Sequence, residues 1–277
     1  MRKGGMSEGC MNKSSCMVKP GFMGTQGSFG VLGMVVLLVL AGCANQQSQK
    51  AYSGKESSQH ESARVHTELG AGYYGQNQLA IALEEFTEAT RLDPNYALAY
   101  NGLGLVYSAL KEDAKADANF KKSVQMEPNN SQSRNNYGTF LCSRNRIDDS
   151  ITQFMDAVKN PLYTTPAVAY MNAGICSLRK NDTVNAETYF QKALIANPGL
   201  SSAAYQLGLI YFNKEQYTFV RAALQNALSN NPSPEVLWLA IRTERILGNK
   251  DAVSSYTLEL RRQYPKSEQT KALLQGQ

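Results

Sequence analysis

From residue 63 onward, glycines and large apolar residues recur in a fixed register. Glycines stand at 70, 104, 138, 174 and 208, and sixteen residues after each comes Phe86, Phe120, Phe154, Phe190 or Leu224. Prolines close the units at 94, 128, 198 and 232. Inside the first unit Leu79, Leu83 and Phe86 fall at helical spacing, with Tyr73, Ala82 and Ala89 completing the pattern. The pattern predicts two antiparallel helices per unit, crossing closely where small residues meet: Gly70 facing Ala82, Gly104 facing Ala116, Gly174 facing Ala186. The large residue of the second helix is then expected against the next unit. One such hairpin cannot bury its apolar face alone, so the units must stack.

The units run 63–96, 97–130, 131–166, 167–200 and 201–234, followed by a degenerate sixth, 235–266, and a short capping helix in 267–277. The third is two residues longer, and the excess falls after Phe154, in KNPLYTTP. The sixth has Trp238 where a large aromatic belongs, but Arg242 where the small residue should be. Period and signature resemble the tetratricopeptide repeat. The expected fold is all-α, a right-handed superhelical solenoid of about six helix hairpins.

The N-terminus follows another rule. Residues 29–43 form an apolar run of 15 that includes Gly30, Gly33 and Gly42. A membrane-spanning helix needs about 20. Basic residues precede the run, and Leu40-Ala41-Gly42-Cys43 ends it, which reads as an export signal over 1–42. Its end resembles the lipobox of bacterial lipoproteins, in which the cysteine becomes the acylated first residue of the mature chain. Cys43 is therefore the expected lipid-attachment site, with two or more acyl chains holding the protein to a membrane. Ala44 follows, not the Asp of inner-membrane retention, so the resemblance implies the periplasmic face of the outer membrane. Residues 44–62 are polar and lack helical periodicity; with Cys43 they are expected to be a tether (43–62), with a reach of roughly 25 Å.

The charge balance narrows the partners. The chain carries 28 Lys+Arg and 23 Asp+Glu, and without residues 1–42 the count is 24 against 22. Nothing in that balance calls for nucleic acid. His60 and His66 have no metal-ligand spacing, there is no phosphate loop or nucleophile elbow, and Glu84, Glu85 and Glu88 read as a solvated face. Neither an enzyme, a cofactor, a metal site nor a small-molecule substrate is expected.

Five cysteines divide by position. Cys10 and Cys16 belong to the signal, Cys43 takes lipid, and Cys142 and Cys176 lie 34 apart near the ends of neighbouring first helices. Side-by-side packing makes a disulfide attainable in an oxidising compartment, with two buried free thiols as the alternative.

The remaining function is binding. Counted from the start of each repeat, the concave positions hold Tyr74 in the first unit and Leu98, Asn101, Leu105 and Ser108 in the second. Asn135 and Thr139 follow in the third, Met171 and Ile175 in the fourth, and Tyr205, Leu209 and Phe212 in the fifth. Such a groove is apolar with a few amides. It suits an apolar segment of a protein partner, a strand or an amphipathic helix.

Particular strings go beyond the repeat. NNYGTFLCSRNRIDDSI (135–151), NPLYTTP (160–166), NAGICSL (172–178) and LWLAIRTERILGNKDA (237–252) resemble the type IV pilus biogenesis and stability lipoproteins, the outer-membrane pilotins of the pilus secretin. The resemblance covers residues 40 to about 275. It implies a non-enzymatic protein that binds secretin subunits and promotes their localisation and multimerisation in the outer membrane. It also implies acylation of Cys43 and a disulfide between Cys142 and Cys176. The competing expectation is a general periplasmic adaptor lipoprotein that scaffolds envelope proteases or cell-wall hydrolases.

Overall fold

The computed structural model describes residues 57–276. The expected signal segment, Cys43 and most of the tether lie outside these residues. All regular structure in the described part is helical. Helix α1 occupies 57–75. It is followed by α2 (Leu79–Leu92), α3 (Ala97–Ala109), α4 (Asp113–Met126), α5 (Ser131–Ser143), α6 (Ile147–Val158) and α7 (Pro166–Arg179). Then come α8 (Thr183–Ala196), α9 (Ser201–Asn213), α10 (Tyr217–Ser229), α11 (Pro234–Ile246), α12 (Lys250–Gln263) and α13 (Glu268–Leu274). Helices α1 to α12 pair into six hairpins and α13 caps the end, so the chain is a tetratricopeptide-type solenoid.

Residues 57–62, expected to be part of the tether, belong to α1. Their polar side chains find specific partners. His60 Nδ1 lies 2.7 Å from Asp93 Oδ2, and its ring stands edge-on to Tyr96. Arg64 donates to both Glu61 and Glu68. His66, standing where an aromatic belongs, reaches Glu85 Oε2 at 2.7 Å across the first hairpin. Glu85 is thus half-buried against α1 rather than on a solvated face.

Each hairpin closes through the same turn. Asn77, Lys111, Asn145, Asn181, Glu215 and Gly248 all have positive φ, between 59° and 74°. The following residue donates back to a carbonyl five residues earlier: Gln78 to Tyr73, Glu112 to Tyr107, Arg146 to Leu141, Asp182 to Ser177, Gln216 to Tyr211 and Asn249 to Glu244. These bonds satisfy carbonyls that a helix end leaves open.

The glycines serve the aromatic residues. A Cβ added at Gly70, Gly104, Gly138 or Gly174 would stand 2.6 to 2.9 Å from Phe86, Phe120, Phe154 or Phe190. The nearest neighbour is therefore the ring sixteen residues on, where the sequence pattern pointed to the alanines. Phe86 is held from both sides, since a Cβ at Gly102 of the next hairpin would come within 2.2 Å of it. Rings and small residues then fuse into clusters that run from one hairpin to the next. Phe86 packs with Tyr100, Leu103 and Val106, and Phe120 with Tyr137, Phe140 and Leu141.

Two irregularities break the period. The extra residues of the third unit lie in the loop 159–165, between α6 and α7. The second lies in the sixth hairpin, where the left-handed turn comes 33 residues after the previous one, at 248 after 215. That slip of one residue removes Arg242 from the close crossing and leaves it exposed. Ile241 takes the crossing position and is fully buried, and Leu237 enters the core while Trp238 is half-buried. On α12 the ring position becomes Thr257, and Leu260 stands fully buried where other repeats carry Ala or Ser. The hairpin fills its core with the large side chain moved to the opposite helix. Helix α13 covers this end, with Leu273 packed against the cluster of Leu237, Ile241 and Leu260.

Candidate partner-binding groove

First helices of neighbouring hairpins lie side by side and present one face along the array. Where α3, α5 and α7 meet, asparagine side chains lie between them. Cys142 and Cys176 mark the contact of α5 with α7: their sulfurs are bonded, with Cα atoms 5.9 Å apart. Both are buried, and Arg179 Nη1 donates to the Cys142 carbonyl at 2.7 Å beside them.

The amides form two bridges. Asn136 Nδ2 donates to Asn101 Oδ1 at 2.8 Å, joining α5 to α3. Asn172 Nδ2 donates to Asn135 Oδ1 at 3.1 Å, joining α7 to α5, and also approaches Thr139 Oγ1 at 3.5 Å. Gln132 Nε2 extends the first bridge by donating to Asn136 Oδ1 at 3.0 Å. Asn101 and Asn135 are only 6% and 7% exposed, deeper than their repeat positions suggest, since each is covered by the amide of the next helix. The chain of donors ends on Asn101 Nδ2, which is buried without an acceptor.

Beside the first bridge is a recess of about 360 Å³ lined by Tyr74, Leu105, Ser108, Asn136, Thr139, Phe140, Lys111 and Arg144, among others. It gathers Tyr74 and Leu105, two of the sequence-predicted groove residues, into one site. Leu98 lies one turn before Asn101 and is 36% exposed. Met171 and Ile175 belong to α7 and lie outside the recess; Ile175 is 37% exposed, and Met171 Sδ accepts from Ser202 Oγ at 2.9 Å. Between the fifth and sixth hairpins the Arg242 guanidinium of α11 lies 4.4 Å over the Phe212 ring of α9. A wider recess of about 560 Å³ is formed by the loops around Asn129 and Asn160 and reaches Gln132 at the start of α5.

Repeat counting does not reach the basic end of the first recess. Lys111 and Arg144 sit in hairpin turns, outside the helix positions that such counting samples. Arg144 is already engaged: Nη2 donates to Asp113 Oδ1 at 2.6 Å and Nη1 to Ser143 Oγ at 3.0 Å. Its guanidinium holds the Asp113 carboxyl below the usual carboxylate range. The only sequence signal was a cation just beyond a helix end, where it also offsets the helix dipole. Among the described residues, no group of three or more His, Cys, Asp or Glu could hold a metal ion. Nor is any described helix long and apolar enough to cross a membrane.

Comparison with known proteins agrees with this architecture. A TPR-repeat family model matches residues 70–111, and a tetratricopeptide-repeat model matches 97–130. The chain is 27% identical over 236 residues to the type IV pilus assembly protein PilF of Pseudomonas aeruginosa, a match that spans 82% of this chain and 90% of that one. The solved structure of Pseudomonas aeruginosa PilF superposes with a TM-score of 0.67 at 25% identity, covering 79% of this chain and all of the other. The crystal structure of PilW, described as a widely conserved type IV pilus biogenesis factor, gives a TM-score of 0.62 at 28% identity, over 76% and 98% of the two chains. These relatives are tetratricopeptide proteins of type IV pilus biogenesis, and none of them indicates a catalytic family.

Proposed function

We propose that this protein is an outer-membrane lipoprotein pilotin. In this reading it binds type IV pilus secretin subunits through the concave face of its repeats and promotes their localisation and multimerisation. The observation that carries the reading is the extent of the likeness: nearly the whole of PilF and of PilW is matched, so the shared feature is the complete array rather than one repeat. The groove chemistry is compatible, with Tyr74, Leu98, Leu105 and Ile175 offering apolar surface between amides. Lipid on Cys43 would supply the membrane destination, and anchoring many copies in one membrane raises the local concentration of bound subunits. Holding an apolar segment would also cover a strand edge prone to aggregate in transit.

The test is an affinity capture from detergent-solubilised envelopes with the lipidated protein as bait and Leu105→Glu as the groove variant. Capture of a secretin by the wild type, lost in the variant, is the expected result. Capture of envelope proteases or cell-wall hydrolases without a secretin would replace this reading with the adaptor. Secretin multimers at normal level in the outer membrane of a deletion strain would also overturn it.

A further inference from the structure

The sixth hairpin departs from the others in what it shows along the groove. In the fifth hairpin the groove positions Tyr205, Leu209 and Phe212 stand ten, six and three residues before the left-handed turn residue Glu215. Counted back in the same way from Gly248, these positions of α11 hold Trp238, Arg242 and Arg245. In the first five hairpins none of the three positions carries a charged residue. The one-residue slip therefore does more than repack a core. It brings two arginines and an indole to the partner face.

Each guanidinium rests on a ring. Arg242 lies 4.4 Å over Phe212, and Arg245 lies 5.7 Å over Trp238 of its own helix. The Tyr217 ring stands edge-on to Phe212, with centroids 5.4 Å apart. Both arginines are exposed, and the rings beneath them are half-buried. Elsewhere, arginines that reach across helices end on a carboxylate: Arg134 on Asp156, Arg146 on Asp117 and Arg221 on Glu244. Among the described residues no carboxylate forms an ion pair with Arg242, and Glu244, two residues on, is buried and taken by Arg221. Arg245 lies in the last turn of α11, where a cation offsets the helix dipole, but Arg242 stands before that turn.

A guanidinium stacked on a ring keeps its plane fixed and its edge free, and that edge matches the two oxygens of a carboxylate. We infer, on the premise that partners bind in the groove as the proposed function has it, that the fifth and sixth hairpins form an acid-recognising end of the groove. Arg242, held on Phe212, pairs with a carboxylate side chain of an acidic protein segment. Arg245, on Trp238, adds positive charge beside it. Leu209 and Arg242 occupy the same position of neighbouring first helices, so apolar and cationic surface lie side by side. The fitting occupant is a segment in which Asp or Glu alternates with apolar side chains. The uncharged positions of the other hairpins confine its acidic part to this end.

The experiment is isothermal titration calorimetry of the full chain in a non-ionic detergent with two capped peptides, Ac-(Asp-Leu-Glu-Leu)2-NH2 and its amide counterpart Ac-(Asn-Leu-Gln-Leu)2-NH2. Capping leaves side chains as the only carboxylates. The acidic peptide should bind more tightly than the amide one. Arg242→Gln should weaken it about fivefold, the scale of one exposed ion pair, and leave the amide peptide unchanged. Because Arg242 is exposed, helix content and melting should hold in circular dichroism. Arg242→Lys keeps the charge but not the planar fork, and should recover only part of the loss. Equal binding of the two peptides, an acidic peptide indifferent to Arg242→Gln, or binding of neither would overturn the inference. Tighter binding of dihexanoyl phosphatidylglycerol through Arg242 would also overturn it, by assigning the site to lipid head groups. If the acidic peptide binds through Arg242 but no secretin is captured from envelopes, the acid site stands and the pilotin reading falls. If the wild type and Arg242→Gln capture secretin equally well, the pilotin reading stands and the inference falls.

Discussion

Phe86 lies so near the backbone of Gly102 that a methyl group there would stand 2.2 Å from its Cε1. The ring is 2% exposed and also meets Gly70, so it has nowhere to move. Gly102→Ala should therefore destabilise the fold by about 1–3 kcal/mol, an overpacking cost that exceeds the helical preference for alanine. At Gly72 the same substitution meets nothing within 4 Å, and it should stabilise by about 0.5–1 kcal/mol. Gly208→Ala faces only the δ-carbon of Leu239 at 3.0 Å and that of Leu224 at 3.3 Å, and should fall between the two. Urea denaturation of the three variants checks the order.

The Cys142–Cys176 bond closes a loop of 34 residues between α5 and α7. Chain entropy alone assigns such a closure about 3–4 kcal/mol. Reduction, or Cys142→Ala with Cys176→Ala, should shift the urea midpoint downward by that amount while helix content at zero denaturant holds. A midpoint unchanged by reductant in the wild type would show that the crosslink contributes nothing.

Arg221 places its guanidinium on Glu244 through two bonds of 2.7 and 2.6 Å, joining α10 to α11. Glu244 is 4% exposed and Arg221 about half exposed, and the bonds raise the Arg221 pKa. Arg221→Met leaves a buried carboxylate alone and should cost about 1–3 kcal/mol, less than a fully buried pair because water still reaches the site. Adding Glu244→Gln should recover most of the loss, and a double-mutant cycle measures the coupling.

Tyr137 stacks on Phe120 and donates to Asp117 Oδ1 at 3.1 Å. Burial, reinforced by that carboxylate, pushes its phenol up to about 12. An unfolded tyrosine ionises near pH 10. Since the folded value is the higher one, the contribution of the neutral phenol to stability is complete below about pH 10. It is lost as pH rises from about 10 to about 12. Urea unfolding between pH 9 and 11 should show this loss in the wild type, with a smaller one in Tyr137→Phe.

The sequence by itself determined the architecture. Sixteen-residue pairs such as Gly138 and Phe154, repeated with prolines at the joints, admit a stack of helix hairpins, because one hairpin leaves its apolar face open. The same counting placed the excess of the third unit, since both series step by 36 after Phe154. It also put Cys142 and Cys176 on neighbouring first helices.

Only the tertiary structure decided what lies across the helices. Each amide bridge joins residues one beyond the local period, 35 apart where the step is 34 and 37 apart where it is 36, because the bridges depend on the stagger and rotation of packed helices. Gly102 is essential to Phe86 for the same reason, although it stands two residues before the glycine of the periodic series. The sixth hairpin slipped by one residue at Gly248 and moved its large side chain to the first helix, at Ile241. Periodicity fixes which residues share one helix face. Where two faces meet, the outcome depends on volumes and hydrogen-bond partners from both, and these are set only once the helices pack.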